Sequence, residues 1–103
     1  MISCINLLRK DPAIDQEDFR AFLEDDYARL CMRIPHMHEY EQNYVTLKEQ
    51  GDASSEAIQA DAFTIERYET LYDYETARAS REYAEALRRR VDAVTYNETY
   101  VCL

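Results

Sequence analysis

The sequence predicts an α+β fold in which a four-stranded antiparallel sheet carries its helices on one face. Two observations indicate this. The apolar pattern changes along the chain in the order strand, helix, strand, strand, helix, strand. The two halves of the chain also repeat the same unit with short connections. This βαββαβ order is the ferredoxin-like one, and a length of 103 residues predicts a single domain over residues 1–103.

The first predicted strand runs from Ile2 to Leu8, and Asp11-Pro12 ends it. Successive side chains of a strand point to opposite faces, so every second residue shares a face. One face is apolar except for a single asparagine, and it comprises Ile2, Cys4, Asn6 and Leu8.

The first predicted helix begins after Asp15, whose carboxylate is placed to accept a hydrogen bond from the amide of Asp18. It ends at Ile34-Pro35, because the residue before a proline is pushed out of the α region. Apolar residues recur at helical spacing and form one stripe. The stripe comprises Phe19, Phe22, Leu23, Tyr27 and Leu30.

The second predicted strand runs from His38 to Val45 and alternates tyrosines with polar residues. One face carries His38, Tyr40, Gln42 and Tyr44. A polar loop follows over residues 48–55, which include the only glycine of the chain, and we expect this loop to be the most mobile segment.

The second half repeats the pattern, with a third strand predicted from Ala62 to Tyr68. Thr70 is a suitable cap for the second helix, and Ser80 is expected to interrupt or restart that helix. Three arginines at residues 88–90 suit the C-terminal end of the helix dipole. The last strand is predicted over residues 96–101, antiparallel to the first strand if the two are neighbours.

The net charge of −9 makes strongly anionic partners unfavourable. Such a balance repels phosphate backbones and anionic lipid, so we expect neither nucleic acid nor a membrane as a partner. The N-terminal apolar run is too short for a signal peptide, and we expect the chain to be cytoplasmic. Cys4, Cys31 and Cys102 are expected to be free buried thiols, and the alternative is a Cys4–Cys102 disulfide between the terminal strands.

The predicted strands carry apolar or aromatic groups on both faces, whereas two helices cover only one face. An uncovered and partly apolar sheet face favours a partner surface. We therefore expect a homodimer that packs two sheets face to face.

The segments DPAIDQEDFRAFLEDDYARL, RIPHMHEYEQNYV and IERYETLYDYETARAS resemble the EthD family of dimeric α+β barrel proteins. The resemblance places the phenylalanine of the family's helix at Phe19, its turn at Ile34-Pro35, and its strand aromatics at Tyr40 and Tyr68. It implies a small dimeric protein of degradative or biosynthetic metabolism, with no cofactor. The sequence departs from the family pattern at Tyr27, where the family usually has a histidine, so the family's proton-transfer chemistry is in doubt here.

The candidate catalytic residues are His38 and Tyr27. An imidazole titrates near neutral pH, and His38 shares a strand face with two tyrosines. Tyr27 is either a core tyrosine or a hydroxyl donor to a substrate carbonyl. The candidate ligand-binding residues are Tyr40, Tyr44, Asn6 and Tyr68. His36 and His38 lack a third ligand at a suitable spacing, so no metal site is predicted.

Two functions remain open at this point. The first is a cofactor-free oxidoreductase or lyase that acts on a small hydrophobic carbonyl or aromatic compound in a pocket between helices and sheet. The second is a non-catalytic dimeric protein that binds such a ligand as an accessory to a pathway.

Overall fold

A computed structural model of the chain describes residues 1–47 and 60–103. Four strands form one antiparallel sheet in the order β2–β3–β1–β4. The strands are β1 (Ile2–Lys10), β2 (Glu39–Tyr44), β3 (Ala62–Tyr68) and β4 (Val94–Cys102). The predicted ferredoxin-like βαββαβ fold is therefore confirmed, with β4 antiparallel to β1. The loop predicted at residues 48–55 lies outside the described residues.

Helix α1 covers residues 16–31 in three parts, which are the α-helical Gln16–Ala21, the π-helical Phe22–Tyr27 and the α-helical Ala28–Cys31. The side chain of Asp15 caps it, since its Oδ1 accepts a hydrogen bond from the Asp18 amide at 2.7 Å. The helix ends three residues earlier than predicted. The chain turns over residues 32–37, and His36 there adopts a φ of 65°.

The second helical segment is divided into α2 (Leu71–Arg78) and α3 (Arg81–Arg90). Thr70 caps α2 as predicted, at 3.1 Å from the Asp73 amide. Ser80 restarts the helix, because its hydroxyl donates to the Ala77 carbonyl at 2.6 Å and accepts from the Tyr83 amide at 3.1 Å. No helix of the described residues is long and apolar enough to cross a bilayer.

The helices cover one face of the sheet, and the core lies between the two layers. Alternate residues of β1 and β3 are buried on this side. The largest fully buried side chains are Tyr68, Phe19, Leu8, Leu23, Thr64, Cys4 and Cys31. We call the other side of the sheet the open face; its centre carries Ile5, Leu7, Phe63 and Ile65, which are only half-buried.

The three cysteines are free thiols. Cys4 and Cys31 are buried as expected, whereas Cys102 is exposed, which corrects the expectation for that residue. The alternative Cys4–Cys102 disulfide is wrong. The register pairs Cys102 with Ser3 and Cys4 with Val101, so the two sulfurs belong to opposite faces of the sheet.

Candidate functional site

A carboxylate and a guanidinium are buried together between the sheet and the helices. Glu66 occupies an inward position of β3, where only 3% of the residue is exposed. Arg78 closes α2, and its Nη2 lies 3.0 Å from Glu66 Oε2. A charge taken out of water costs several kcal/mol, roughly, unless a partner compensates it. Each of the two charges therefore offsets the cost of burying the other, and removing one would leave the other uncompensated.

Two tyrosines enclose the cation. The Arg78 guanidinium carbon lies 5.1 Å from the ring centroid of Tyr74 and 4.3 Å from that of Tyr83. Burial lowers the pKa of Arg78, but the charge of Glu66 and the side chain of Tyr74 raise it by more, so the net effect is a raised pKa. The guanidinium is thus permanently charged inside the layer.

Tyr68 lies beside this pair with an unused hydroxyl. It is fully buried, and its ring meets that of Tyr74 edge-on with centroids 5.7 Å apart. Its hydroxyl has no hydrogen-bond partner among the described residues. Burial, and next the charge of Glu66, raise the pKa of Tyr68, so its phenol keeps its proton at neutral pH. The hydroxyl is therefore a hydrogen-bond donor with no acceptor in the described part of the chain.

A second polar group adjoins the first and comprises Tyr27, Cys31 and Tyr40. The side chains of Tyr27 and Tyr40 lie close enough to the thiol of Cys31 to affect its pKa. Burial raises the pKa of all three groups, and that of Cys31 to about 11. The charge of Glu66 also raises the pKa of Tyr27 and Cys31, which shows that the two groups are electrostatically connected.

Gln42 fixes this second group to helix α1. Its Nε2 donates to the Leu23 carbonyl at 2.7 Å and to Tyr40 Oη at 3.0 Å. Its Oε1 accepts a hydrogen bond from Tyr44 Oη at 2.8 Å. Leu23 belongs to the π-helical stretch, and such stretches occur frequently at functional sites. One amide therefore orients two tyrosines and the irregular part of the helix.

His38 lies at the edge of the sheet, outside this buried layer. It lines a depression of about 100 Å³ together with Met32, Met37, Glu39 and Tyr40. Its Nδ1 is 3.4 Å from Glu69 Oε1, and its Nε2 is 3.9 Å from Glu39 Oε1. Tyr40 is the residue that the depression and the buried layer share.

Asn6 is held within the sheet. Its Nδ2 donates to Thr64 Oγ1 at 3.1 Å, and its Oδ1 accepts from Thr99 Oγ1 at 2.7 Å. The register places Gln42, Thr64, Asn6 and Thr99 in one row across the four strands. This polar row runs beside the row that contains Tyr40 and Glu66, so Asn6 borders the site rather than entering it.

Within residues 1–47 and 60–103, no three His, Cys, Asp or Glu side chains gather as a metal site would require. His36 turns to a different partner from His38, since its Nδ1 lies 3.6 Å from Asp73 Oδ1. The two imidazoles therefore do not converge on one point.

Known proteins resemble this chain in structure and not in sequence. No protein-family model matches the sequence. No curated protein matches it either. An ethyl tert-butyl ether d (EthD) family protein from Bacillus halodurans superposes with a TM-score of 0.78, at 14% identity over 100% of this chain and 97% of that one.

The chain shares the ferredoxin-like fold of that EthD protein. Two further solved structures agree. A dimeric ferredoxin-like protein from Thermobifida fusca has a TM-score of 0.71, at 14% identity over 98% of this chain and 88% of that one. A hydroxynitrile lyase from Passiflora edulis has a TM-score of 0.69, at 16% identity over 98% of this chain and 90% of that one. At these identities the likeness shows the fold.

In this EthD-like fold the candidate residues named from the sequence fall into three places. Tyr27 and Tyr40 meet at Cys31, with Tyr44 joined to them through Gln42. Tyr68 lies near the Glu66–Arg78 pair, since its ring contacts that of Tyr74, which in turn contacts the Arg78 guanidinium. Asn6 and His38 border this layer from inside the sheet and from its edge.

The sequence alone did not identify three residues as members of the site: Glu66, Arg78 and Cys31. The alternation of β3 offered a signal, because it places Glu66 on the same side as Tyr68. Arg78 lies one residue after the buried Ala77 and four after Tyr74, which are positions near the covered side of α2. Their contact joins two elements, and no local pattern shows it.

Proposed function

We propose that the chain is a small homodimeric enzyme of the lyase or oxidoreductase type that moves protons on a small hydrophobic carbonyl or aromatic compound. One observation carries the proposal. A carboxylate–guanidinium pair, three phenols and a thiol lie in one helix–sheet layer, and all of them are buried except Tyr40 and Arg78, which are partly buried. Packing does not require such a layer, because well-packed apolar residues are often equally or more stable than a buried ion pair.

The depression at the sheet edge supplies the entrance in this proposal. His38 acts there as general acid or base, since an imidazole exchanges protons near neutral pH. Tyr40 forms the inner wall, and Tyr27 follows as a hydroxyl donor. Tyr44 and Asn6 act from the border of the layer, Tyr44 through Gln42 and Asn6 within the polar row of the sheet. The unused hydroxyl of Tyr68 is the hydrogen-bond donor that a ligand oxygen would meet inside the layer.

The size of the depression limits the substrate. A volume of about 100 Å³ is small for a ligand site. Pockets for larger organic ligands usually exceed about 300 Å³. A substrate of only a few heavy atoms is therefore expected, or the first contact of a larger one. The hydroxynitrile lyase from Passiflora edulis supports lyase chemistry on this fold by analogy only.

The experiment begins with a thermal-shift screen of small aldehydes, ketones and aromatic compounds. A ligand at 100 times its Kd stabilises the native state by about 2.7 kcal/mol. Each hit is then assayed for turnover from pH 5 to pH 9, with wild-type protein and His38→Gln. We expect a break near neutral pH in the wild-type profile and its loss in the variant.

His36→Gln is the matched control, because His36 is the other histidine and its imidazole faces Asp73 instead. It should keep the wild-type pH profile. Equal loss in both variants would show that His38 has no special part. Saturable binding of a hit with no turnover by the wild type would favour the second function, a non-catalytic ligand-binding protein.

We also propose that two copies pack their open faces together. The centre of this face is apolar and only half-buried in the single chain, and Tyr100 at its side is 47% exposed. Solved proteins of this fold are described as dimeric. Sedimentation equilibrium at micromolar concentration should give twice the chain mass, and a stable monomer there would contradict the proposal.

We further propose a cytoplasmic location, since free thiols at Cys4 and Cys31 agree with a reducing compartment.

A further inference from the structure

An open groove separates the C-terminal part of helix α1 from helix α3. Two adjoining hollows form it, of about 380 Å³ and about 200 Å³, and both are lined by Leu30 and Arg89. The larger hollow falls in the size range of small-molecule sites. The groove lies on the helix layer and shares no lining residue with the depression at His38.

Guanidinium groups are concentrated along this groove. Arg29, Arg33, Arg88 and Arg89 line it, which is four of the 12 basic residues in a chain of net charge −9. Arg29, Arg33 and Arg88 have no ion-pair partner among the described residues. Arg29 belongs to the last part of helix α1 and Arg33 to the turn after it, and the two like charges repel each other across the smaller hollow that both line. An anion between them would relieve that repulsion.

Arg89 is held in place from both sides. Its Nη2 contacts Asp26 Oδ2 of α1 at 3.1 Å, and its Nη1 contacts the carboxylate of Asp92. A guanidinium has five N–H donors, so two such bonds leave three donors for another acceptor. The two aspartates thereby fix the orientation of the Arg89 guanidinium without using all of its N–H donors.

The groove also contains carboxylates, and they bear on the kind of ligand. Asp26 and Asp92 are engaged with Arg89, whereas Glu85 lines the larger hollow without an ion-pair partner among the described residues. The four guanidinium groups exceed the three carboxylates by one charge. A compact organic anion suits this balance better than a polyanion. Leu30 supplies an apolar surface for the rest of such a ligand.

We infer that the groove between α1 and α3 binds a small organic anion. A carboxylate or phosphate group lies among Arg29, Arg33, Arg88 and Arg89, and its apolar part lies against Leu30. Guanidinium groups bind both carboxylates and phosphates through bidentate hydrogen bonds. The site is independent of the chemistry proposed at the sheet edge.

Phenyl phosphate and benzoate serve as probes, and phenol serves as the uncharged control ligand. Binding is followed by NMR through the Leu30 methyl resonances at 150 mM salt, where long-range attraction is largely screened. We expect saturable shifts with at least one of the two anions and none with phenol. The stronger of the two anions identifies the preferred head group.

Arg88→Gln and Arg81→Gln form a matched pair of variants. Both residues are exposed on α3 and both changes remove one charge, but Arg81 lies seven residues away, about 10 Å along the helix. Arg88→Gln should weaken anion binding about tenfold. Arg81→Gln should leave it unchanged. Equal weakening by both, or the absence of saturable binding by either anion, would overturn the inference.

Discussion

Glu66 shows how one side chain departs from the pattern around it. The inward face of β3 carries Ala62, Thr64 and Tyr68, and a carboxylate stands among them at 3% exposure. Its compensation comes from Arg78, which is itself enclosed by two tyrosine rings. An unpaired carboxylate at this depth would cost far more than the loss of an ordinary surface contact.

Removing the cation should therefore be severe. Arg78→Met leaves Glu66 buried without its partner, and we expect the free energy of unfolding to fall by about 3–5 kcal/mol. Urea denaturation followed by circular dichroism measures it. The double variant Glu66→Gln/Arg78→Met should recover a substantial part of the loss. Arg81→Met, on the exposed side of α3, should stay within about 0.5 kcal/mol of wild type.

The thiols offer a second test at this scale. Burial raises the pKa of Cys31 to about 11, so roughly one thiol in a thousand is ionised at pH 8. Burial raises the pKa of Cys4 as well. Because the thiolate is the nucleophile, iodoacetamide should leave both residues unmodified in the folded protein. Peptide mass spectrometry measures this.

The control for that experiment is the same reaction in concentrated urea, where all three cysteines should be alkylated. Cys102, exposed near the end of β4, should react in the folded protein as well. Rapid alkylation of Cys31 without unfolding would contradict its burial in the core.

At the scale of elements, the π-helical stretch and strand β2 act as one unit. The stretch covers Phe22–Tyr27, and Gln42 of β2 binds its Leu23 carbonyl at 2.7 Å. The same amide holds the hydroxyls of Tyr40 and Tyr44. The wider helical turn is therefore fixed by a side chain of the sheet, at the point where Tyr27 enters the buried layer.

Gln42→Leu removes all three hydrogen bonds, so the partly buried hydroxyl of Tyr40 loses its donor and that of Tyr44 loses its acceptor. We expect a loss of about 1–3 kcal/mol in the free energy of unfolding. The substitution should also increase the rate of amide hydrogen exchange in the π-helical stretch more than in α3, each relative to wild type. Asn43→Leu is the control and should cost much less, because the Asn43 side chain bonds only the exposed Glu41 among the described residues, at 3.0 Å. Unchanged exchange in the stretch would contradict the role of Gln42.

The whole molecule presents one covered and one open sheet face. The helices protect the inner side, and the outer side is apolar at its centre with charged residues around it, including the Arg67 pairs with Glu39 and Glu41 at 3.0 Å and 3.2 Å. An apolar centre within a polar rim is the usual anatomy of a protein interface. This composition supports self-association through the open face.

A single charge at the centre of the open face should separate the copies. Ile65 pairs with Ile5 across the two middle strands, and Ile65→Glu would bury a carboxylate in the proposed interface. We expect self-association to weaken by more than tenfold, which corresponds to over about 1.4 kcal/mol. Sedimentation velocity measures it. Leu71→Glu, a matched change at a residue 53% exposed on α2, should leave association unchanged.

The sequence by itself determined the order of the elements and much of their detail. The caps at Asp15, Thr70 and Ser80 and the strand Ala62–Tyr68 follow from local chemistry and from the twofold period of a strand. Only the tertiary structure decided which polar groups meet. The contact of Glu66 with Arg78, the bonds of Gln42 to Leu23 and Tyr40, and the π-helical turn depend on strand register and helix docking. Those features join residues distant in the chain, and a local period carries no information about such distances.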